Sequence, residues 1–260
     1  MKVLFNKPPF IEAICQFQFA PAADKPLDST VPGLIYNLIR NDFPVVEEQP
    51  GIHLQFAMGT PSQPQVSPVT NRVFFKRTDG TAIVQVGPNF LAVNCLPPYP
   101  NWDAFQATIL DVLRIYQEIA QPVALFGVEL RYINHINLPS TESGLSVNIA
   151  DYVTAYPNVP TSLLRPQGLR FVQRVEIRMP ESQGMLVIQS ATVEAVQEDQ
   201  SGVLQGGIIM DLSFTFSDEN LLPLAKASDW IDAAHNKVEQ AFLACITEKA
   251  RESFEEEHYV

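Results

Sequence analysis

The sequence predicts an α+β fold in which an antiparallel sheet, or two joined sheets, is gripped by two long helices, the chain forming two similar β-α-β-meander-α halves. Three observations lead there. Strand-like segments follow one another in runs and do not alternate with crossover helices. Turn signals at Asp79-Gly80 and Gly87-Pro88-Asn89 join three of the strands into a meander. Two long amphipathic stretches, NWDAF from Asn101 onward and DWIDA from Asp229 onward, each follow a three-strand run and open with a capping residue and a tryptophan.

The elements follow in order. In FIEAICQFQF, Phe10 to Phe19, the two-residue alternation sends Ile11, Ala13, Cys15, Phe17 and Phe19 to a core and Ile14, Gln16 and Gln18 away from it. DSTVPGLIYNLIRNDFP makes a short helix, with Ser29 or Thr30 as cap, Pro32 in the first turn, a stripe through Leu34, Ile35, Leu38 and Ile39, and Pro44 as stop. A strand from His53 to Met58, a loop rich in Pro, Ser and Gln (Pro61 to Pro68) and the strands RVFFKR, AIVQV and FLAVNCL come next. The first long helix is capped by Asn101, carries Trp102, Phe105, Ile109, Tyr116 and Ile119 at three- and four-residue steps, and ends before Pro122. An extended run from Val123 to Leu138 opens the second half. One helical turn near Val147 to Ala155, strands over Leu169 to Met179, Gly184 to Ala195 and Gly206 to Phe216, and a last helix through SDWIDAAHNKVEQAFLACITEKARESF complete it. The halves are residues 1–121 and 122–260, expected to form one compact unit. The acidic end FEEEHYV opposes the helix dipole, which predicts fraying over 253–260.

With 46% hydrophobic and 18% charged residues, the chain of 260 can bury a sizeable core. Its net charge of -12 disfavours nucleic acid as the main partner, because phosphate affinity is built from clustered cations. The excess acid lies in the second half, where 9 basic residues face 19 acidic ones, against 8 and 10 in residues 1–120. Cys15, Cys95 and Cys245 are far apart and form no C-x-x-C pair, which fits a reducing compartment and offers no zinc site. The apolar start MKVLF is broken by Asn6, Lys7 and two prolines, and no run approaches the length of a membrane span. A cytoplasmic location without membrane attachment is expected.

The segment LRYINHINLP, Leu130 to Pro139, carries the main candidate site. Alternation places Leu130, Tyr132, Asn134, Ile136 and Leu138 on one face, and Arg131, Ile133, His135 and Asn137 on the other. Asn134 among apolar neighbours reads as a buried amide at a seam between the two sheets. His235 falls on the stripe of Ile231, Val238, Phe242 and Cys245 in the last helix, whereas His53 and His258 read as isolated surface histidines. Arg131, Asn134, His135 and His235 are therefore the candidate ligand or interaction residues. Asp211, after the apolar GGIIM, requires a partner, Arg131 or Arg174, and Asp211 with Arg174 is the candidate buried polar pair. G-x-S-x-G, the P-loop pattern, H-E-x-x-H and a Gly-rich dinucleotide fingerprint are all missing from the sequence. No catalytic residue, metal or cofactor is assigned.

The stretch KPPFIEAICQFQF, the L-R-Y-I-N-x-I strand of Leu130 to Ile136, and a last helix with Trp230, His235 and Phe242 resemble a sporadically distributed family of bacterial proteins of about this length. That family has no assigned activity, and its patchy distribution implies horizontally transferred defence or toxin-linked modules. The expected function is a non-enzymatic accessory subunit that binds another bacterial protein or itself. The alternative is a module binding a small anionic ligand through Arg131, Asn134, His135 and His235. The third is an enzyme using a carboxylate and a histidine brought together from the two halves.

Overall fold

The computed structural model describes residues 3–21, 29–52, 68–138, 140–141, 144–145, 148–163, 170–193, 196–198, 202–204, 206–216 and 220–258. Its strands are β1 (Phe10–Ala20), β2 (Val45–Ile52), β3 (Pro68–Lys76), β4 (Ala82–Gly87), β5 (Phe90–Cys95), β6 (Ala124–Asn137), β7 (Val172–Met179), β8 (Gly184–Val193) and β9 (Gly207–Phe216). They form one antiparallel sheet in the order β7-β8-β9-β6-β1-β5-β4-β3-β2. The helices are α1 (Val31–Ile39), α2 (Trp102–Ala120), α3 (Ala227–Cys245) and α4 (Glu248–Ser253). This is an α+β fold. Short two-stranded ribbons lie outside the main sheet, among them Val3–Phe5 paired with Glu256–His258.

Period-two patterning decides which face each strand buries. Ala13, Cys15, Phe17 and Phe19 of β1 are fully buried, as are Leu130 and Ile136 of β6 and Ile208, Met210, Leu212 and Phe214 of β9. Together with Phe105, Ile109 and Tyr116 of α2 and Trp230, Ile231 and Val238 of α3 they belong to one apolar core. Phe19 stacks on Tyr116 with ring centroids 4.3 Å apart, fixing α2 over β1. The opposite face of the sheet carries a polar ladder. Arg72 Nη1 donates to Gln85 Oε1, Gln85 Nε2 to Asn94 Oδ1 at 2.9 Å, and Asn94 Nδ2 to Glu12 Oε1 at 2.7 Å. The buried amide of Asn94 is thereby satisfied on both its donor and acceptor sides.

β1 and β6 pair with two register shifts, between Phe10 and Glu12 and between Gln18 and Phe19. At the first of these, Phe10 faces Asn134, and the backbone N–H of His135 donates to Pro9 O at 2.6 Å. Such bulges raise local twist and let a wide sheet curve over its helices.

Several local expectations are corrected. In α1 only Ile35 and Ile39 are buried, while Leu34 and Leu38 are exposed, because a helix this short turns a single i, i+4 row to the core. Thr30 is its N-cap but makes no side-chain capping bond. Asn101 does cap α2, accepting from Ala104 N at 2.8 Å, whereas Asp229 lies inside the first turn of α3, which starts at Ala227. The last helix is broken at Ile246, whose backbone is extended. There Thr154 takes over two of the free carbonyls at the end of α3, its N–H donating to Cys245 O and its hydroxyl to Ala244 O. Thr247 then caps α4. Within the terminal segment expected to fray, Glu256–His258 pair as a strand with Val3–Phe5, and the buried ring of Phe254 lies against Phe5. The expected strand at His53 to Met58 and residues 61–67 of the expected loop lie outside the described residues.

Two glycines give substitutions of opposite sign. A Cβ on Gly207 would lie 2.3 Å from Ile136 O and 2.8 Å from His135 Nε2, so Gly207→Ala is expected to destabilise by about 1–3 kcal/mol. Gly33, inside α1, has nothing within 4 Å of its Cβ position, and Gly33→Ala is expected to stabilise by about 0.4–1 kcal/mol. Urea unfolding of the two variants beside the parent checks both signs.

A candidate pocket between the last long helix and the sheet

Because β6 alternates, the four candidate residues fall on two sides of the sheet. Asn134 faces the helices and is buried, with Nδ2 donating to Met210 O at 3.4 Å. His235 faces it from α3. Arg131 and His135 lie on the other face, so the four do not form one site. The sequence places Arg131 and His135 correctly by parity, but it cannot reveal that a whole sheet separates them from His235.

Asn134 and His235 contribute to a cavity of about 140 Å³, open to solvent on one side. Phe5 of the terminal ribbon and Val238, Phe242 and Leu243 of α3 supply its apolar wall. Tyr132, two residues before Asn134 on the same strand face, completes the floor, and Glu239, one turn after His235, brings a carboxylate. The volume matches a single ring or a branched side chain and is far below what a nucleotide fills.

The floor is held by a chain of polar contacts. Tyr99 and Tyr132 hydroxyls lie 3.0 Å apart, and Tyr132 Oη lies 3.3 Å from His235 Nδ1. Burial, and then the neighbouring Tyr99 phenol, push the Tyr132 phenol well above its ordinary range. Tyr99 is raised as well, mainly by burial. Both phenols therefore stay protonated near neutral pH and act as hydrogen-bonding groups, not as bases. If Tyr99 donates to Tyr132 and Tyr132 to Nδ1, the imidazole carries its proton on Nε2. The ring is clamped from behind by Trp102 of α2, stacked at 4.1 Å and 5°. Trp102 Nε1 and Gln106 Nε2 both donate to Asp232 Oδ1, at 3.1 and 2.7 Å, tying α2 to α3.

Tyr99, Trp102 and Phe5 come from elements distant in sequence, and no local pattern pointed to them, whereas Asp232 lies one turn before His235 on α3. Tyr132 and Glu239 were legible in principle, one by strand parity with Asn134 and the other by the i, i+4 step from His235.

On the opposite face the partner of Asp211 is Arg131, not Arg174. Arg131 Nε donates to Asp211 Oδ1 at 2.7 Å and Nη2 to Oδ2, a bidentate pair, with Gln189 Nε2 at 3.5 Å from Oδ2. Asp211 and Arg131 sit on adjacent strands one diagonal step apart, whereas β8 stands between Asp211 and Arg174. Arg174 pairs instead with Glu176 on its own strand. The Arg131 side chain is 37% exposed and that of Asp211 only 12%, so the pair is half-buried.

Burial raises all three thiols, Cys95 to about 11, which keeps them protonated at neutral pH. Among the described residues no group of three or more His, Cys, Asp or Glu side chains is placed to hold a metal ion, and no helix is long and apolar enough to cross a membrane. No family model matches the chain, and no curated protein does.

Because Asp211 is the more enclosed partner, removing its counter-ion is the costlier change. Arg131→Met is expected to destabilise by about 1.5–3 kcal/mol and Asp211→Asn by less, compared by urea unfolding at neutral pH.

His135 has a buried Nε2 with no hydrogen-bond partner among the described residues, and burial lowers its pKa. The folded state thus binds this proton less well than the unfolded chain does. Stability is unaffected well above about pH 6.5 and is lost as pH falls from there toward the depressed folded value. His135→Gln is expected to flatten that part of the stability profile between about pH 7.5 and 5.5, read as the difference from the parent.

Proposed function

We propose that the chain is a non-enzymatic binding protein, an accessory subunit whose pocket beside α3 takes a small ring or branched apolar group with a donor or positively charged head. The observation that carries this is the lining: an apolar wall of Phe5, Val238, Phe242 and Leu243, a polar floor of Asn134, Tyr132 and His235, and the carboxylate of Glu239. Among the described residues none of those lining it is Lys or Arg, so the fit favours a neutral or cationic group over the anionic one suggested by the sequence. Phenols held protonated favour binding over proton transfer.

The same proposal takes the chain as two similar halves, 1–121 and 122–260, each gripped by its long helix. In support, β5 lies beside β1 and β9 beside β6, and a long helix follows β5 and β9 alike. Placement in a bacterial defence or toxin-linked system, in the cytoplasm, rests on the family resemblance and the cysteine pattern.

Thermal-shift titration with benzylamine, benzyl alcohol and benzoate tests the pocket. Benzylamine is expected to raise the melting temperature most and benzoate least. Leu243→Trp, which fills the cavity, should abolish the shift, and Glu239→Gln should erase the preference for the amine. A flat response to all three probes overturns the proposal.

A further inference from the structure

Among the described residues the sheet has two edges that no further strand covers, and they are built differently. At one end β2 contains Pro50, and its register with β3 shifts between Gln49 and Gly51. A proline and a bulge are two of the devices that stop an edge from pairing further. At the other end β7, VQRVEIRM, has no proline, and its register with β8 is unbroken from Val172↔Ala191 to Met179↔Gly184. Six of its eight residues are exposed, including Val172 at 53%, Val175 at 42% and Ile177 at 40%. An edge of this length with exposed β-branched residues is a template for another strand.

We propose that β7 is the docking edge for a second copy of this chain, joined antiparallel about a two-fold axis through Val175 so that two nine-stranded sheets become one. Charge chooses the occupant and the register. Arg174 and Glu176 share one face of β7 and already pair with each other at 2.7 Å, both side chains being nearly half exposed. With the axis at Val175, Arg174 stands opposite Glu176 of the second copy and Glu176 opposite its Arg174, two reciprocal opposite-charge pairs. Val175 meets its own counterpart on the other face. Moving the axis to Arg174 sets Arg174 against itself; moving it to Glu176 sets Glu176 against itself and Arg174 against Arg178. An axis at Ile177 also sets Glu176 opposite Arg178, but it leaves Val172, Gln173 and Arg174 without partners in β7, so the pairing there is shorter by two residues. Steps of one residue put the polar face of one copy beside the apolar face of the other. The docking edge is independent of the pocket, so either proposal can fail without the other.

Sedimentation velocity from low to high micromolar concentration reads the outcome. The parent is expected to be a reversible dimer. Glu176→Arg faces two arginine pairs across the axis and should weaken self-association by about tenfold or more. The double variant R174E/E176R restores opposite charges and should recover the dimer. Val175→Cys should form an intermolecular disulfide under mild oxidation, since the three native thiols are buried. Thermal melting of the exposed-edge variants confirms that the fold is kept. A parent that stays monomeric throughout overturns the proposal, as does a dimer indifferent to Glu176→Arg or a double variant that does not recover.

Discussion

The antiparallel pairing of β1 with β6 is the contact on which the other layers depend. These strands lie at the middle of the sheet, and each brings an apolar row to the helix side: Ala13, Cys15, Phe17 and Phe19 from one, Leu130, Ile136 and the buried amide of Asn134 from the other. α2 reaches the first row through Tyr116 on Phe19, and α3 closes over the second. A slip of one residue between the two strands would turn one of these rows to the opposite face from the other. The bulge opposite Asn134 fixes the pairing, because the amide donates to Met210 O while the neighbouring His135 N–H is taken by Pro9 O.

The sheet then acts as a partition. On the helix side, the Tyr99–Tyr132–His235 chain satisfies its own polar groups, and the buried Ser190 hydroxyl donates to Ala155 O. On the other side polar groups satisfy one another across strands, as Arg131 does with Asp211 and Asn94 with Gln85 and Glu12. The alternation in LRYINHINLP records this partition directly. Its cation belongs to a cross-strand network with Asp211, and its amide belongs to the pocket.

What was legible in the sequence follows from what is local. Parity identified the buried faces of β1 and β6, Asn101 announced the start of α2, and Asn89 with its positive φ of 52° marked the tight β4–β5 turn. Pairing order was not legible, since alternation tells a strand which way to face but not which neighbour to take. Asp211 found Arg131 for that reason, being one strand away, while Arg174 is two. The break at Ile246 was hidden because the periodic stripe continues past it, and the distant Thr154, with Arg251 from the next helix, supplies donors for the carbonyls exposed there. Trp102 and Phe5 enter the site from other elements, so no spacing rule could bring them to His235.

The flat stack of Trp102 on His235 also has an optical side. One of the chain's two tryptophans lies with its ring 4.1 Å from an imidazole that borders the cavity, while the other, Trp230, is packed among Phe214 and Phe216. An indole's emission depends on the ring lying against it, so whatever displaces or polarises His235 is expected to alter the emission of Trp102. The stack thus ties the surroundings of one indole directly to the ring that borders the pocket.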